Sequence, residues 1–351
     1  MKKRRKNAAQ GGFQMLHVSY DEAVNTMTAG LKPYLPQEQA HHFAEIFAGN
    51  SLDGVYSHGM NRFPRYLSDM DKGLCDRTVT QAERVSGFGA LEVWDAHYGV
   101  GPLIAEQVTR RAIELARTHG VACVALRNNS HWLRAGRYGL MMADAGMMGI
   151  CFTNTSMNLV AYGAKERSTG NNPITFAIPR KAGSLVMDMA VSQYAFGKLE
   201  IMAQEGKMLD TPCGFDTEGN LTCDPRKINE SKLMVPMALW KGSALSIMLD
   251  LMAASLSLGR TSHEIGTPKD GEKGMSQVYI CLNPAAVVDA AEMDKKVEDT
   301  LAFFDGLAPA QGSGGVHAPG ERLAATRERN LREGIPVTEE TWKKITDAAQ
   351  K

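Results

Sequence analysis

LEVWDAHYGVGPLIAEQVTRRAIELARTHGVACVALRN, residues 91–128, decides the fold class. It reads as a short strand, a glycine turn, a long amphipathic helix closed by Gly120, and a strand of β-branched and small residues. Strand–helix–strand alternation of this kind marks an α/β domain. The turn, GVGPLI at 99–104, has two glycines of the dinucleotide fingerprint and lacks the third. GxxxxGK[ST] does not occur either. Generic motifs therefore predict an α/β chain without a standard phosphate loop.

The same patterning continues on both sides. GRYGLMMADAGM reads as a helix, while GICFTNT, PITFAIP, GSLVMDMA and MSQVYICLN read as strands. ALSIMLDLMAASLSLG is the clearest buried helix, apolar on most of its surface. Residues 203–232 read as polar loop. Upstream, Ser19 to about Asn50 reads as helix with a cap at Ser19–Asp21, and YLSDMDKGL as a helix ended by Gly73. The charged tail from Pro319 is expected to be helical, with Thr338 as N-cap and Glu340 in the first turn of the last helix. The expected division is a tail at 1–14, a mainly helical subdomain of 15–85 with 316–351, and an α/β core at 86–315.

Composition narrows the function classes. With 44% hydrophobic and 22% charged residues the chain is of globular type. Lys plus Arg equals Asp plus Glu at 39 each, so no net field favours nucleic acid or an anionic membrane. MKKRRKNAAQGG at the start is read as a disordered tail, too short in apolar residues for a secretory signal. No window reaches the length of a membrane span. Six scattered cysteines without a CxxC spacing argue against a zinc ribbon or disulfide scaffold and for a reducing cytoplasm. His41 and His42 are adjacent, and His17, His119, His263 and His317 have no partner at ligand spacing, so no metal site is expected.

Polar clusters carry the chemistry. In SHGMNRFPRYL, residues 57–67, His58 and Arg62 would share a helical face, while Pro64 equally allows a turn into a new helix. Such a pair suits a 2-keto acid: Arg grips the carboxylate bidentately and His moves a proton at the neighbouring carbonyl. His131 in RNNSHWLRAG follows a strand, where α/β folds place their sites, and Asp188 sits at the end of another. The glycines and asparagines of TNTSMNLVAYGAKERSTGNNP, residues 153–173, suit backbone contact with a ligand.

SHG-x-x-R, N-x-x-H, TN…G-x-NP, DMA-x-S, WKGSALSIMLDLM and PGE, in this order, resemble the malate/L-lactate dehydrogenase-like oxidoreductases. The resemblance runs from about Tyr20 to the C-terminus and is strongest to a subgroup acting on a sugar-derived keto acid. It implies a non-Rossmann, L-sulfolactate/malate dehydrogenase-like α/β fold: a mixed sheet with flanking helices and a helical N-/C-terminal subdomain. It also implies a homodimer with its active site near the subunit boundary. Carried over, His58 would be the proton donor, Ser57 and Arg62 would hold the substrate, and Asp188 would orient His58. His131 would be a substrate partner or rival acid. Cofactor contacts would come from Ser184, Leu185, Val186, Met187, Asp188, Met189 and Ala190. Trp240 and Lys241, then Gly320, Glu321 and Arg322, would complete them. VHAPGER stands where the family pattern has an Arg and a His around the glycine.

The resulting expectation is a cytoplasmic, NADH-dependent reductase of a sugar keto acid, with NADPH not excluded. Within the family the other substrates are malate, lactate, sulfolactate, ureidoglycolate and a cyclic imino acid. From another class, a sugar-acid lyase or epimerase would use His58 and Asp188 for proton abstraction.

Overall fold

The computed structural model describes residues 15–350; the basic start at 1–14 lies outside the described residues. Two compact units form, one from the chain up to Leu67 together with Ala325 onward, the other from Ser68–Ala324.

In the first unit β1 (Met15–Val18) pairs antiparallel with a late strand, Ile335–Thr338. α1 (Tyr20–Leu31) starts at Ser19, whose hydroxyl accepts the Glu22 N–H at 3.2 Å, as the cap predicts. α2 (Gln37–Leu52) is a separate helix rather than a continuation. Pro33 and Pro36 explain the break, since proline donates no N–H and drives the residue before it out of helical geometry. An aromatic core forms where Phe43 lies 4.8 Å from Phe47 and meets Tyr66 edge-on at 5.0 Å. α3 (Phe63–Asp71) follows two short 3₁₀ turns, and Gly73 leaves it at φ +70°.

The second unit is built on a seven-stranded mixed sheet. β2 (Glu83–Phe88) and β3 (Leu91–Asp95) form a hairpin, and α4 (Gly101–His119) crosses from β3 to β4 (Val121–Asn129), which is parallel to β3. α5 (Ala135–Asp144) leads to β5 (Met148–Thr153). β6 (Leu159–Val160) and β7 (Arg167–Thr169) leave the sheet, and β8 (Ile174–Ile178) and β9 (Leu185–Met189) return to it. Within the seven-stranded sheet every pairing except β3 with β4 is antiparallel, so this is not a doubly wound dinucleotide sheet.

The two glycines at the head of α4 serve packing. A Cβ on Gly99 would stand 2.3 Å from the Val79 carbonyl oxygen, and one on Gly101 2.6 Å from that of Ser130.

Residues 203–232 are not plain loop. α6 (Phe196–Gln204) enters the stretch, and β10 (Gly214–Phe215), β11 (Leu221–Thr222) and α7 (Pro225–Ser231) lie within it. β12 (Leu233–Met234) then joins a small five-stranded sheet in the order β11-β10-β12-β6-β7. Local capping organises polar sequence here. Asp216 accepts the N–H groups of Glu218 and Asn220, and Asp224 that of Arg226 with Pro225 beginning the helix.

α8 (Trp240–Ser257) and the short α9 (Ser262–Ile265) precede β13 (Met275–Leu282), inserted between β4 and β5. Neighbouring strand residues face opposite sides, as strand geometry demands. Val124, Cys151 and Tyr279 pack with α4 and α5, while Ala125, Phe152 and Val278 pack with Leu249 and Ala253 of α8. α8 is only one-sided, contrary to its apolar reading. Its buried face is mostly small or polar, including Gly242, Ser243, Ser246 and Ser257, while Ile247, Met248, Leu251 and Met252 are 42–54% exposed. α10 (Ala290–Asp305), α11 (Glu321–Glu333), β14 (Ile335–Thr338) and α12 (Glu339–Ala349) close the chain. Thr338 caps α12 by accepting the Thr341 N–H, and Glu340 lies in its first turn.

Candidate active site

SHGMNR forms two successive 3₁₀ turns, Tyr56–His58 and Met60–Arg62, with Gly59 between them. The single helical face for His58 and Arg62 is therefore not formed; the turn alternative is. Gly59 is demanded by crowding, because a Cβ there would stand 2.1 Å from Ser51 Oγ. Ser51 Oγ accepts the Met60 N–H at 2.7 Å, and Asn50 Nδ2 donates to the His58 carbonyl at 2.9 Å. The backbone on both sides of the imidazole is thus held by α2. His58 Nδ1 engages Ser57 Oγ at 3.0 Å, fixing the ring plane.

In the second unit His131 follows β4 as expected, and its Nδ1 accepts the Leu133 N–H at 3.0 Å. Its neighbours Asn128 and Leu133 both hold positive φ, a costly geometry kept by the packing around it. Trp132 points away into the core, against Tyr138 and Tyr279.

Asp188 lies on β9, an edge strand of the large sheet. Although the residue is open along that edge, its carboxylate turns inward. It accepts the Gly136 N–H at 2.8 Å and the hydroxyl of its cross-strand partner Thr175 at 3.2 Å, with Arg134 Nε at 3.8 Å. Burial pushes the carboxyl up from the usual range, and Gly136, Arg134 and Thr175 pull the other way. Sequence reasoning misses all three of these partners. The Thr175–Asp188 pairing needs strand register, while a Cβ on Gly136 would meet Asp188 Oδ2 at 2.7 Å, an invisible constraint until α5 is placed.

Two of the three expected cofactor segments meet. Gly320, at φ +82°, lies so close to β9 that a Cβ would stand 3.1 Å from the Val186 carbonyl oxygen. Val186 itself points into the core with Ala143 and Ala177, whereas Leu185, Met187, Met189 and Ala190 are half-buried. Ser184 donates to Asp144, and Glu321 accepts the Ala318 N–H beside His317. Arg322 is exposed. Trp240 is 59% exposed at the head of α8, with Lys241 Nζ 5.8 Å from its ring centre. Ala238 and Leu239, just before them, both have positive φ, at +48° and +52°.

The asparagine side chains of the 153–173 stretch make structural hydrogen bonds. Asn172 is fully buried; its Oδ1 accepts the Thr155 N–H, and its Nδ2 donates to the Ser246 carbonyl and hydroxyl, each at 2.9 Å. Asn171 Oδ1 receives Thr155 and Asn158, and Asn154 ties Asp250 to Ser276. These amides lock the loop to α8. Among the described residues there is no metal-competent cluster and no helix long and apolar enough to cross a membrane.

The chain is similar to known proteins in sequence and in fold. The malate/L-lactate dehydrogenase family model matches residues 18–346. A 2,3-diketo-L-gulonate reductase of Klebsiella pneumoniae is 39% identical over 317 residues, covering 90% of this chain and 94% of the relative. The reductase of that name from Pasteurella multocida is 39% identical, covering 88% and 92%. Among solved structures, the sulfolactate dehydrogenase of Methanocaldococcus jannaschii aligns with TM-score 0.88 at 25% identity, over 95% of this chain and 97% of that one. Malate dehydrogenase from Entamoeba histolytica gives 0.88 at 25%, over 96% and 98%. The mixed sheet with flanking helices is thus the sulfolactate/malate dehydrogenase-like fold.

Proposed function

The chain belongs to the malate/L-lactate dehydrogenase family, and from that premise we propose that it reduces 2,3-diketo-L-gulonate to 3-keto-L-gulonate with NADH, as a cytoplasmic homodimer. The family makes it an oxidoreductase of hydroxy or keto acids. The substrate choice draws support from the diketogulonate reductases at 39% identity. The mechanism rests on one observation: the turn that ties Ser57 to the His58 ring and carries Arg62 four residues on.

When bound, the nicotinamide supplies the hydride. The residues expected to hold the dinucleotide suit it chemically: an exposed indole at Trp240, cations at Lys241 and Arg322, and the close-set backbone of Val186 and Gly320. His58 gives its proton to the oxygen that becomes the alkoxide, with Ser57 steadying the ring. Arg62 holds the substrate carboxylate. Asp188 supplies a fixed carboxyl group, and His131 serves as a substrate hydrogen-bond partner or rival acid.

A panel of keto acids, followed through NADH and NADPH absorbance, tests the substrate. Fast turnover of diketogulonate with NADH is expected; fast oxaloacetate turnover without it would reject the assignment. Arg62→Lys should raise KM while leaving kcat nearly unchanged, because a point charge replaces a two-pronged fork. A kcat defect at constant KM would remove Arg62 from that role.

The homodimer draws support from α8, whose exposed Ile247, Met248, Leu251 and Met252 recur at helical spacing as one apolar stripe. Met248→Glu combined with Leu251→Glu should shift the protein to a monomer in sedimentation velocity. A dimer of unchanged stability would place the interface elsewhere.

A further inference from the structure

We propose that Cys213 and Cys223 form a reversible dithiol–disulfide pair, a modification site for low-molecular-weight disulfides at the base of the β10–β11 hairpin. The hairpin pairs Gly214 with Thr222 and Phe215 with Leu221. One step outward on each strand stand Cys213 and Cys223. The Cys213 N–H donates to the Thr222 carbonyl at 3.3 Å, which sets Cys213 beside the residue that precedes Cys223. A disulfide requires Cα atoms about 4.4–6.8 Å apart, a span that two residues flanking one hairpin pair can meet.

The surrounding hydrogen bonds hold both residues in place. Leu209 N donates to the Cys223 carbonyl and Val235 N to that of Cys213, each at 2.9 Å. Both side chains belong to one apolar cluster with Leu209, Ile228 and Met234. Burial pushes the Cys213 thiol up to about 11, and the neighbouring Cys223 adds to the rise. Both cysteines are free thiols.

Their unequal exposure gives the chemistry an order. Cys213 is fully buried, whereas Cys223 is partly open. The Cys223 thiolate attacks a sulfur of the small disulfide, breaks its S–S bond and releases one thiolate, leaving a mixed disulfide. The Cys213 thiolate then attacks the Cys223 sulfur and releases the second. Two protein thiols are oxidised, one external disulfide is reduced, and the two protons end on the released thiols. Because Cys213 holds its proton strongly, closure should accelerate as pH rises toward its pKa.

Cys151 and Cys281 provide an internal contrast. They sit diagonally across β5 and β13, since Cys151 faces Tyr279 and Cys281 faces Gly149, and both are fully buried. No reagent reaches them in the folded chain. The Cys213–Cys223 link, by comparison, would fix the hairpin whose Phe215 and Leu221 wall an apolar cavity of about 210 Å³ shared with Leu239.

The test treats the full chain with oxidised glutathione across a range of pH, alkylates the remaining thiols and maps peptides by mass spectrometry. The expected result is loss of two of the six thiols, a peptide joined through Cys213 and Cys223, faster closure at higher pH, and reversal by dithiothreitol. Cys213→Ser should instead stop at one glutathione adduct on Cys223. A stable adduct on Cys223 of the unaltered chain, a link through any other cysteine, or six thiols still alkylated would overturn the proposal.

Discussion

Replacing His58 by alanine is expected to lower turnover by about 10²–10⁴-fold, the range for losing a general acid. That is roughly 3–5 kcal/mol of transition-state stabilisation at the usual conversion of about 1.4 kcal/mol per decade. The loss should fall on chemistry rather than folding. Asn50 bonds the His58 carbonyl and Ser51 bonds the Met60 N–H, so the backbone of the turn keeps its anchors without the imidazole. NADH affinity should stay nearly intact, because the residues proposed for the dinucleotide come from β9, α8 and the start of α11. Stopped-flow turnover with parallel NADH fluorescence titration separates the two effects. Unchanged turnover would reject His58 as the acid and move the role to His131.

The order of strands and helices was readable because its signals are local. Gly120 leaves α4 at φ +81°, Ser19 caps α1 and Thr338 caps α12, each where the sequence places it. GVGPLI shows where locality ends. Its glycines look like a damaged phosphate loop, yet they are there because Val79 and Ser130 approach from elsewhere in the chain. Which strands become neighbours is likewise a long-range property; β13 inserts between β4 and β5 after more than a hundred intervening residues.

α8 fails to match its reading for a related physical reason. Hydrophobicity counts side chains but does not say which of them has room. Apart from Leu249, the inward face meets a dense amide network and keeps small groups there, so most of the large apolar residues turn outward. For the site, the Ser57–His58–Arg62 sequence identified the turn, but the Gly136, Thr175 and Arg134 environment of Asp188 depends on cross-strand register and helix docking.

Asn172→Ala should be strongly destabilising, with a loss of about 3–5 kcal/mol in urea unfolding, two or three times the cost of one stranded polar group. The side chain is fully buried and makes bonds of 2.9 Å to Thr155 N, Ser246 O and Ser246 Oγ. Alanine strands the Thr155 N–H without that acceptor and takes the amide donor from the Ser246 carbonyl. Each buried polar group left without its partner costs about 1–3 kcal/mol. Against a typical total stability of about 5–15 kcal/mol, that is a large fraction. The void cannot be refilled by a bulkier apolar residue, since Thr155 and Gly170 crowd the amide, and a Cβ on Gly170 would stand 2.1 Å from Asn172 Oδ1. Asn172→Asp separates the two halves of the argument. It keeps an acceptor for Thr155 but loses the donor to Ser246 and buries a charge. Folded protein that survives either change should retain its KM for the keto acid. A rise in KM with a stability loss under about 1 kcal/mol, the worth of one ordinary hydrogen bond, would return Asn172 to the ligand. The outward turn of α8 would then rest on the bonds of Ser246 Oγ with Thr169 Oγ1 and the Gly170 carbonyl, each at 2.7 Å.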